Sequence, residues 1–307
     1  MLWGVTSLAC VPLDDFLDSN EILNNSEIIL PDWILDARLI KDTTIGIVTA
    51  HNTFLTYCFK TRQLLHTYPC EEQSLLYAGQ IHVLPHNDIV IASGTVFSEI
   101  QLWHPQVPVT SDSTLPIRKR LQGHEGCIFS LRFDRTGTLL ASCSDDRTIR
   151  VWNLNTSTCI AIGFAHIARV WDVRFLPSQT PQEDVHLMST SEDATALLWH
   201  LSTKDRKFKV LERYQGHGGK HVWSQAISLD GTMAATGGND GAVNIWDIEN
   251  WKNRMRDSNS DISWKEKTPS VNIDGIERMD IIKGYRCIDE DNLLVTLNSG
   301  YCSSLTS

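Results

Sequence analysis

No stretch of the sequence reaches the roughly 18 consecutive apolar residues that a membrane-spanning helix needs. The opening residues, Met1 to Leu13, are mildly apolar but lack a basic n-region and run into Asp14, Asp15 and Asp18. They read as a strand or a loosely packed end rather than a signal peptide. The cysteines, at positions 10, 58, 70, 127, 143, 159, 287 and 302, include no pair at the two-residue spacing of a zinc knuckle or redox motif. They read as reduced, mostly buried thiols of a cytosolic or nuclear protein, with no metal site. Positive charge is short: 27 Lys and Arg face 37 Asp and Glu, for a net charge of −10. That weighs against coating nucleic acid through global charge, while leaving room for a local basic patch. Missing as well are a Gly-x-Ser-x-Gly nucleophile elbow, a Walker loop and a glycine-rich dinucleotide fingerprint. No constellation for catalysis or for a bound cofactor remains, so the expectation is no enzyme and no cofactor.

What is present is apolar content and repetition. The 307 residues are 42% hydrophobic, enough to bury a full core in one large domain or two small ones. Three segments align. The first runs Gly123-His124, Leu139 to Ser142, Asp146, and Ile149 to Trp152; the second runs Ala165-His166, Leu187 to Ser189, Asp193, and Ala196 to Trp199. The third runs Gly216-His217, Ala234 to Thr236, Asp240, and Val243 to Asp247. Successive tryptophans stand 47 residues apart, and each follows its Asp by six. Short β-rich runs, such as 128–133, 139–143 and 148–152, are separated by turn residues such as Thr136-Gly137 and Asp145-Asp146.

This pattern resembles the WD40 repeat, a four-stranded unit with Gly-His near its start and Trp-Asp at its end. The implied fold is all-β: a WD40 β-propeller in which each sheet buries its faces against its neighbours. The resemblance also implies a buried hydrogen-bonded chain in each blade, formed by His124–Ser142–Asp146–Trp152, His166–Ser189–Asp193–Trp199 and His217–Thr236–Asp240–Trp246. The Asp would sit in the turn between second and third strands and accept from backbone and His. Ser, His and Asp are thus structural tetrads here rather than hydrolase triads. Trp171-Asp172 follows His166 too closely to close a blade and belongs to a first strand.

Upstream, Asp88–Trp103 reads as second and third strands of a further blade, with Ser93 ten residues before Trp103 but Phe97 in the Asp position. Residues 34–39, 44–49 and 53–59 read as a degenerate blade with His51-Asn52 as a turn, and 286–289, 292–297 and 301–305 as strands of a last one. The expected organisation is an irregular segment over 1–27, blades over 28–250, a polar loop or insertion over 251–275, and a partial last blade over 276–307. About six blades are recognisable. Against a usual seven, the ring is six-bladed, open, or part of a longer protein, and we expect the last.

A propeller is a platform, so function rests on residues the fold does not need. Phe129, Trp171 and Trp223 occupy one equivalent position near the start of the first strand, beside Arg169, Lys220 and His221. They either pack adjacent blades or form a partner-binding rim near the ring's narrow central end. Arg118-Lys119-Arg120 and the cluster of Lys204, Arg206, Lys207 and Lys209 fall on outer strands or connecting loops. They serve as solvated edges or as phosphate contacts.

Four segments carry more: Ser93–Phe97 continuing to Gln101–Trp103, Gly123–Ser130, His166–Phe175 and Gly216–Trp223. Together they resemble the WD-repeat family that partners the FtsJ-type tRNA ribose methyltransferase. The resemblance implies a cytoplasmic, non-catalytic scaffold subunit. Its partner would bind S-adenosylmethionine and methylate the wobble nucleotide, while this chain helps present tRNA; if tRNA is gripped, Arg169, Lys220 and the two local basic patches are the residues that would do it. Relatives of that family are longer, with more than one propeller. The alternative is a general WD40 interaction scaffold, for example in endosomal recycling or signalling, with no tRNA role.

Overall fold

The computed structural model describes residues 30, 32–85, 88–105, 114–177 and 184–249 with their side chains. It describes strands alone at 2–3, 7–9, 27–29, 264–267, 270–273, 276–279, 282–287, 292–297 and 302–306. No described residue is in an α-helix, and no helix is long and apolar enough to cross a membrane.

Near the start, β1 (Leu2–Trp3), β2 (Ser7–Ala9) and β3 (Glu27–Ile29) pair in that order. Five four-stranded sheets follow, each with its strands neighbouring in chain order. The first holds β4 (Ile34–Lys41), β5 (Thr44–Thr49), β6 (Thr53–Cys58) and β7 (Gln63–Pro69). The second holds β8 (Leu76–Val83), β9 (Ile89–Thr95), β10 (Glu99–Trp103) and β11 (Ile117–Gln122). The third holds β12 (Ile128–Phe133), β13 (Leu139–Ser144), β14 (Ile149–Asn153) and β15 (Thr158–Gly163). The fourth holds β16 (Val170–Phe175), β17 (Asp184–Ser191), β18 (Thr195–Ser202) and β19 (Lys207–Gln215). The fifth holds β20 (Val222–Ile227), β21 (Met233–Gly238), β22 (Ala242–Asp247) and β23 (Trp264–Lys267). Last come the pair β24 (Ser270–Ile273) and β25 (Ile276–Met279), then a three-stranded sheet of β26 (Ile282–Cys287), β27 (Asn292–Leu297) and β28 (Cys302–Thr306).

Within 1–27, expected to be irregular with a strand or loosely packed end at its start, lie β1 and β2, and within 251–275, expected to be a polar loop or insertion, lie β23 and β24; residues 10–26 and 250–263 lie outside the described residues. The polar composition of 264–267 misleads because a fourth strand needs little apolar content. It has one neighbour, β22, and its backbone satisfies the row of groups that β22 would otherwise expose.

The chain divides into two compact units, residues 1–140 with 153–158 and residues 141–152 with 159–307. Each has its own core. In the first, Val48, Phe54, Tyr68, Ile81, Ile91 and Trp103 form one cluster and Ile45, Ile47, Leu55 and Tyr57 another. In the second, Met188, Leu198, Tyr214, Ala234 and Trp246 pack together. Second and third strands such as β5, β9 and β18 are buried along most of their length, so their sequences are apolar runs rather than alternations. Fourth strands are wet: β7 is exposed over its first five residues and β11 over Arg118 to Arg120.

Turn chemistry fixes the hairpins. Between β12 and β13, Asp134 accepts from the backbone N–H of Thr136 and Leu139, and Gly137 takes φ +72°. A Cβ at Gly137 would lie 2.5 Å from His82 Nε2, so both backbone and space demand glycine. The turns between second and third strands place Asn52, Ser98, Arg147 and Ala194 at φ of 56–69° and Gly241 at 65°. Asp146, Asp193 and Asp240 in three of these turns each accept through Oδ1 from the backbone N–H two residues on.

Candidate functional site

Two kinds of site arise from the repeat: a buried fastening inside the second to fifth sheets and an aromatic position on their first strands. In the fourth sheet, Trp199 Nε1 donates to Ser189 Oγ at 2.8 Å, and Ser189 Oγ meets His166 Nε2 at 2.7 Å. His166 Nδ1 meets Asp193 Oδ2 at 2.8 Å. One proton arrangement satisfies every atom: Trp N–H to Ser oxygen, Ser O–H to Nε2, and Nδ1–H to the carboxylate of a neutral-imidazole tautomer. Burial pushes the Asp193 carboxyl up, but hydrogen bonds from His166, Thr195 and the Ile167 N–H outweigh it and hold the group well below the usual carboxylate range. The fifth sheet repeats the chain with Trp246 to Thr236 at 2.7 Å, Thr236 to His217 at 2.8 Å and His217 to Asp240 at 2.9 Å. In the third, Trp152 Nε1 donates to Ser142 Oγ at 2.9 Å, and His124 is buried in the first unit.

The second sheet carries a substitute. Trp103 Nε1 donates to Ser93 Oγ at 3.0 Å, and Ser93 Oγ donates to Asn52 Oδ1 at 2.6 Å. Asn52 reaches in from the β5–β6 turn and gives its own N–H groups to the Glu72 carbonyl at 2.8 Å and Gln101 Oε1 at 3.0 Å. An asparagine from the preceding sheet thus stands where the others use histidine. Sequence reasoning identified the missing Asp but not this replacement.

The aromatic position is made by a backbone irregularity. The pairing of first with second strand shifts register across Leu35, Tyr77, Trp171 and Trp223. Each is the extra residue of a bulge, which re-aims a side chain out of the strand's alternation. In the second unit the Trp171 and Trp223 rings lie 4.2 Å apart at 36°. Trp223 Nε1 donates to Asn239 Oδ1, and His221 meets the Trp223 ring edge-on at 6.0 Å. Arg169 pairs with Asp145 at 2.5 Å and approaches Glu192 at 3.7 Å, Lys220 is exposed, and His221 Nε2 is 3.7 Å from Glu192. Five of the six residues expected at the partner-binding position therefore lie in this unit, with Trp171, Trp223 and His221 in one ring cluster. Ile167 is 79% exposed.

Phe129 belongs to the first unit, where its ring lies 5.8 Å from Tyr77. Tyr77 was missed from the sequence. These aromatics precede their closing tryptophans by 26 residues for Tyr77, 23 for Phe129, 28 for Trp171 and 23 for Trp223. Only the burial pattern of the first strand would have aligned them. Of the basic clusters, Arg120 is held by Glu72 at 2.5 Å and Glu99 at 2.6 Å, and Lys119 Nζ donates to the Leu154 carbonyl at 2.5 Å. Lys204 and Arg206 are exposed at the β18–β19 turn and Lys207 and Lys209 on β19. No cluster of His, Cys, Asp and Glu able to hold a metal occurs among the described residues.

Residues 116–153 and 208–247 match the family described as WD domain, G-beta repeat. The chain carries WD40 repeats. Its fold is likewise that of solved WD40 structures: it covers 90% of this chain and 77% of the chain in the crystal structure of RRP9 WD40 repeats, with a TM-score of 0.68 and 17% identity. The structure of U3-55K gives 0.67 at the same identity. Among curated proteins, this WD40 chain is 26% identical over 230 residues to the tRNA (34-2'-O)-methyltransferase regulator WDR6 of Bos taurus and equally to that of Homo sapiens. The match covers 71% of this chain and 19% of those proteins. The Nuclear distribution protein PAC1 of Arthroderma benhamiae is 32% identical over 134 residues, 41% of this chain and 27% of its own length. The chain therefore spans about a fifth of the length of the WDR6 relatives it matches.

Proposed function

We propose that this WD40 chain is a non-catalytic scaffold subunit that helps a tRNA 2'-O-methyltransferase act on the wobble nucleotide. The likeness to regulators so named carries the reading. It is supported by a site chemistry of aromatic and ionic contact residues. The tetrads serve as structural fasteners. Phe129, Arg169, Trp171, Lys220, His221 and Trp223 serve as partner-binding residues, with the Trp171–Trp223 pair as the anchor. The partner holds S-adenosylmethionine, and the exposed Lys204–Lys209 cluster is the part of this chain offered to tRNA phosphates. Work of this kind is positioning: it turns a loose encounter of enzyme and tRNA into one of fixed geometry. The setting is cytoplasmic.

The experiment is wobble-position ribose methylation in the protein's own cells after depletion, with the 307-residue chain re-expressed. Loss at that nucleotide, restored by the chain and not by a Trp171→Ala/Trp223→Ala variant, supports the reading. Unaltered methylation overturns it. The second reading is a general protein-interaction scaffold, supported by the 32% identity to the Nuclear distribution protein PAC1 over 134 residues; it expects unchanged tRNA and a different set of bound proteins.

A further inference from the structure

The first unit carries a surface of which the tRNA reading uses only Phe129. Leu75, Tyr77 and Phe97 are exposed by 42%, 48% and 77%, unusual for large apolar side chains so close together. They are physically linked. The Val96 N–H donates to the Leu75 carbonyl at 3.4 Å, Cys127 Sγ donates to the Val96 carbonyl at 3.4 Å, and the Tyr77 ring lies tilted beside that of Phe129. Phe97 is held outward by its turn, in which Thr95 Oγ1 accepts from the N–H of Phe97 and Glu99 and donates to the Glu99 carbonyl.

Beside Phe97 opens a cavity of about 380 Å³, lined among others by Glu72, Ser74, Thr95, Glu99 and Gln101. Its two carboxylates share one guanidinium, that of Arg120, so the wall keeps a net negative charge. Their hydrogen bonding is incomplete. Glu72 Oε2 accepts from Arg120 and Gln101, and Glu99 Oε1 does the same. Glu72 Oε1 takes Arg120 alone and Glu99 Oε2 takes Gln122 alone among the described residues. A carboxylate oxygen accepts two hydrogen bonds, so each glutamate has one acceptor site left. The carboxylates stay ionised at neutral pH. Arg120 holds Glu72 below its ordinary range, and for Glu99 the hydrogen bonds of Gln122, Arg120 and Gln101 outweigh burial.

We propose that this surface docks a peptide segment of a partner protein that carries an arginine beside a bulky apolar residue. The guanidinium enters the cavity, reaches the spare acceptor sites of Glu72 and Glu99 and lies against the Phe97 ring. The apolar neighbour covers Leu75, Tyr77 and Phe129. Arginine fits better than lysine because its planar fork offers several donors at once and stacks on an aromatic face. The negative wall repels phosphate, which sets nucleic acid aside for this surface. The inference goes beyond the tRNA reading and stands without it.

The test is a positional-scanning library of immobilised nonapeptides probed with the full 307-residue chain, followed by fluorescence polarisation of the strongest peptide. The expected selection is Arg next to Leu or Phe. Citrulline in place of that Arg weakens binding tenfold or more, and so does Phe97→Ser, a change at an exposed turn that leaves the core alone. Glu99→Gln weakens it less, and Trp171→Ala leaves it unchanged. A library that does not prefer Arg over citrulline, or a peptide that binds Phe97→Ser as well as the parent, overturns the proposal. So does selection of acidic peptides. Because the readout is peptide binding, it stands or falls separately from tRNA methylation.

Discussion

Asn52 and Ser93, 41 residues apart, meet at 2.6 Å with Ser93 as donor. Ser93 simultaneously accepts from Trp103, so the asparagine completes a buried chain that histidine completes elsewhere. Asn52 also sits at φ 56°, a left-handed conformation that asparagine tolerates better than most residues. Backbone and side-chain roles can be separated. Asn52→Gly keeps the turn but leaves Ser93 and Gln101 short of partners, at a cost of about 1–3 kcal/mol. Asn52→Ala adds backbone strain of roughly 1 kcal/mol to that. Urea midpoints of the two variants, with unchanged m-values, check the order parent, Gly, Ala.

Ser189 is fully buried and serves two partners, Trp199 and His166. Ser189→Ala removes both contacts while changing little volume, so the expected loss is about 1–3 kcal/mol from the stranded groups. Ser189→Thr keeps the hydroxyl, as Thr236 does in the fifth sheet, and recovers part of the loss. Thermal unfolding of the pair is the check; equal midpoints for Ala and Thr would contradict the hydrogen-bond argument.

Asp193 gives stability a defined acid dependence. Its folded-state carboxyl titrates below its unfolded value, so the unfolded chain binds the proton more readily. The contribution is present above the unfolded carboxylate range near pH 4 and is lost as pH falls below it toward the folded value. Asp193→Asn should be destabilised at pH 7 and show a shallower fall in stability between about pH 4 and pH 2 than the parent. Denaturation midpoints across that window measure the slope. Parallel curves for the two proteins would mean that Asp193 does not titrate with folding.

Gly137→Ala meets two obstacles, the positive φ and the His82 ring at 2.5 Å from the new Cβ. A loss of roughly 1–3 kcal/mol is expected. Gly219, also at positive φ but with open space around its Cβ position, should lose less on the same change. Comparing the two midpoints separates the steric part from the conformational part.

Legibility followed sequence distance. Asp and Trp in a repeat stand on one hairpin, so their six-residue spacing is fixed by strand geometry and could be read directly, as could the ten residues from Ser93 to Trp103. His166 and His217 were legible because a short loop brings each to its own sheet. Asn52 was not, because its partner lies in the next sheet and neither residue type marks such a link. Tyr77 was hidden because β8 follows no Gly-His pair to set its register. Strand β23 was hidden because an outer strand carries no hydrophobic pattern.

The bulges in the first strands have a consequence for how such a chain can change. A residue in regular alternation belongs to one face or the other, and its replacement disturbs whatever packs there. A bulged residue is outside that count. Tyr77, Trp171 and Trp223 therefore stand outside the strand alternation of the scaffold that carries them. Each of these three sheets offers one position where a new side chain rewrites what the surface recognises while the buried alphabet of Trp, Ser and His stays as it is.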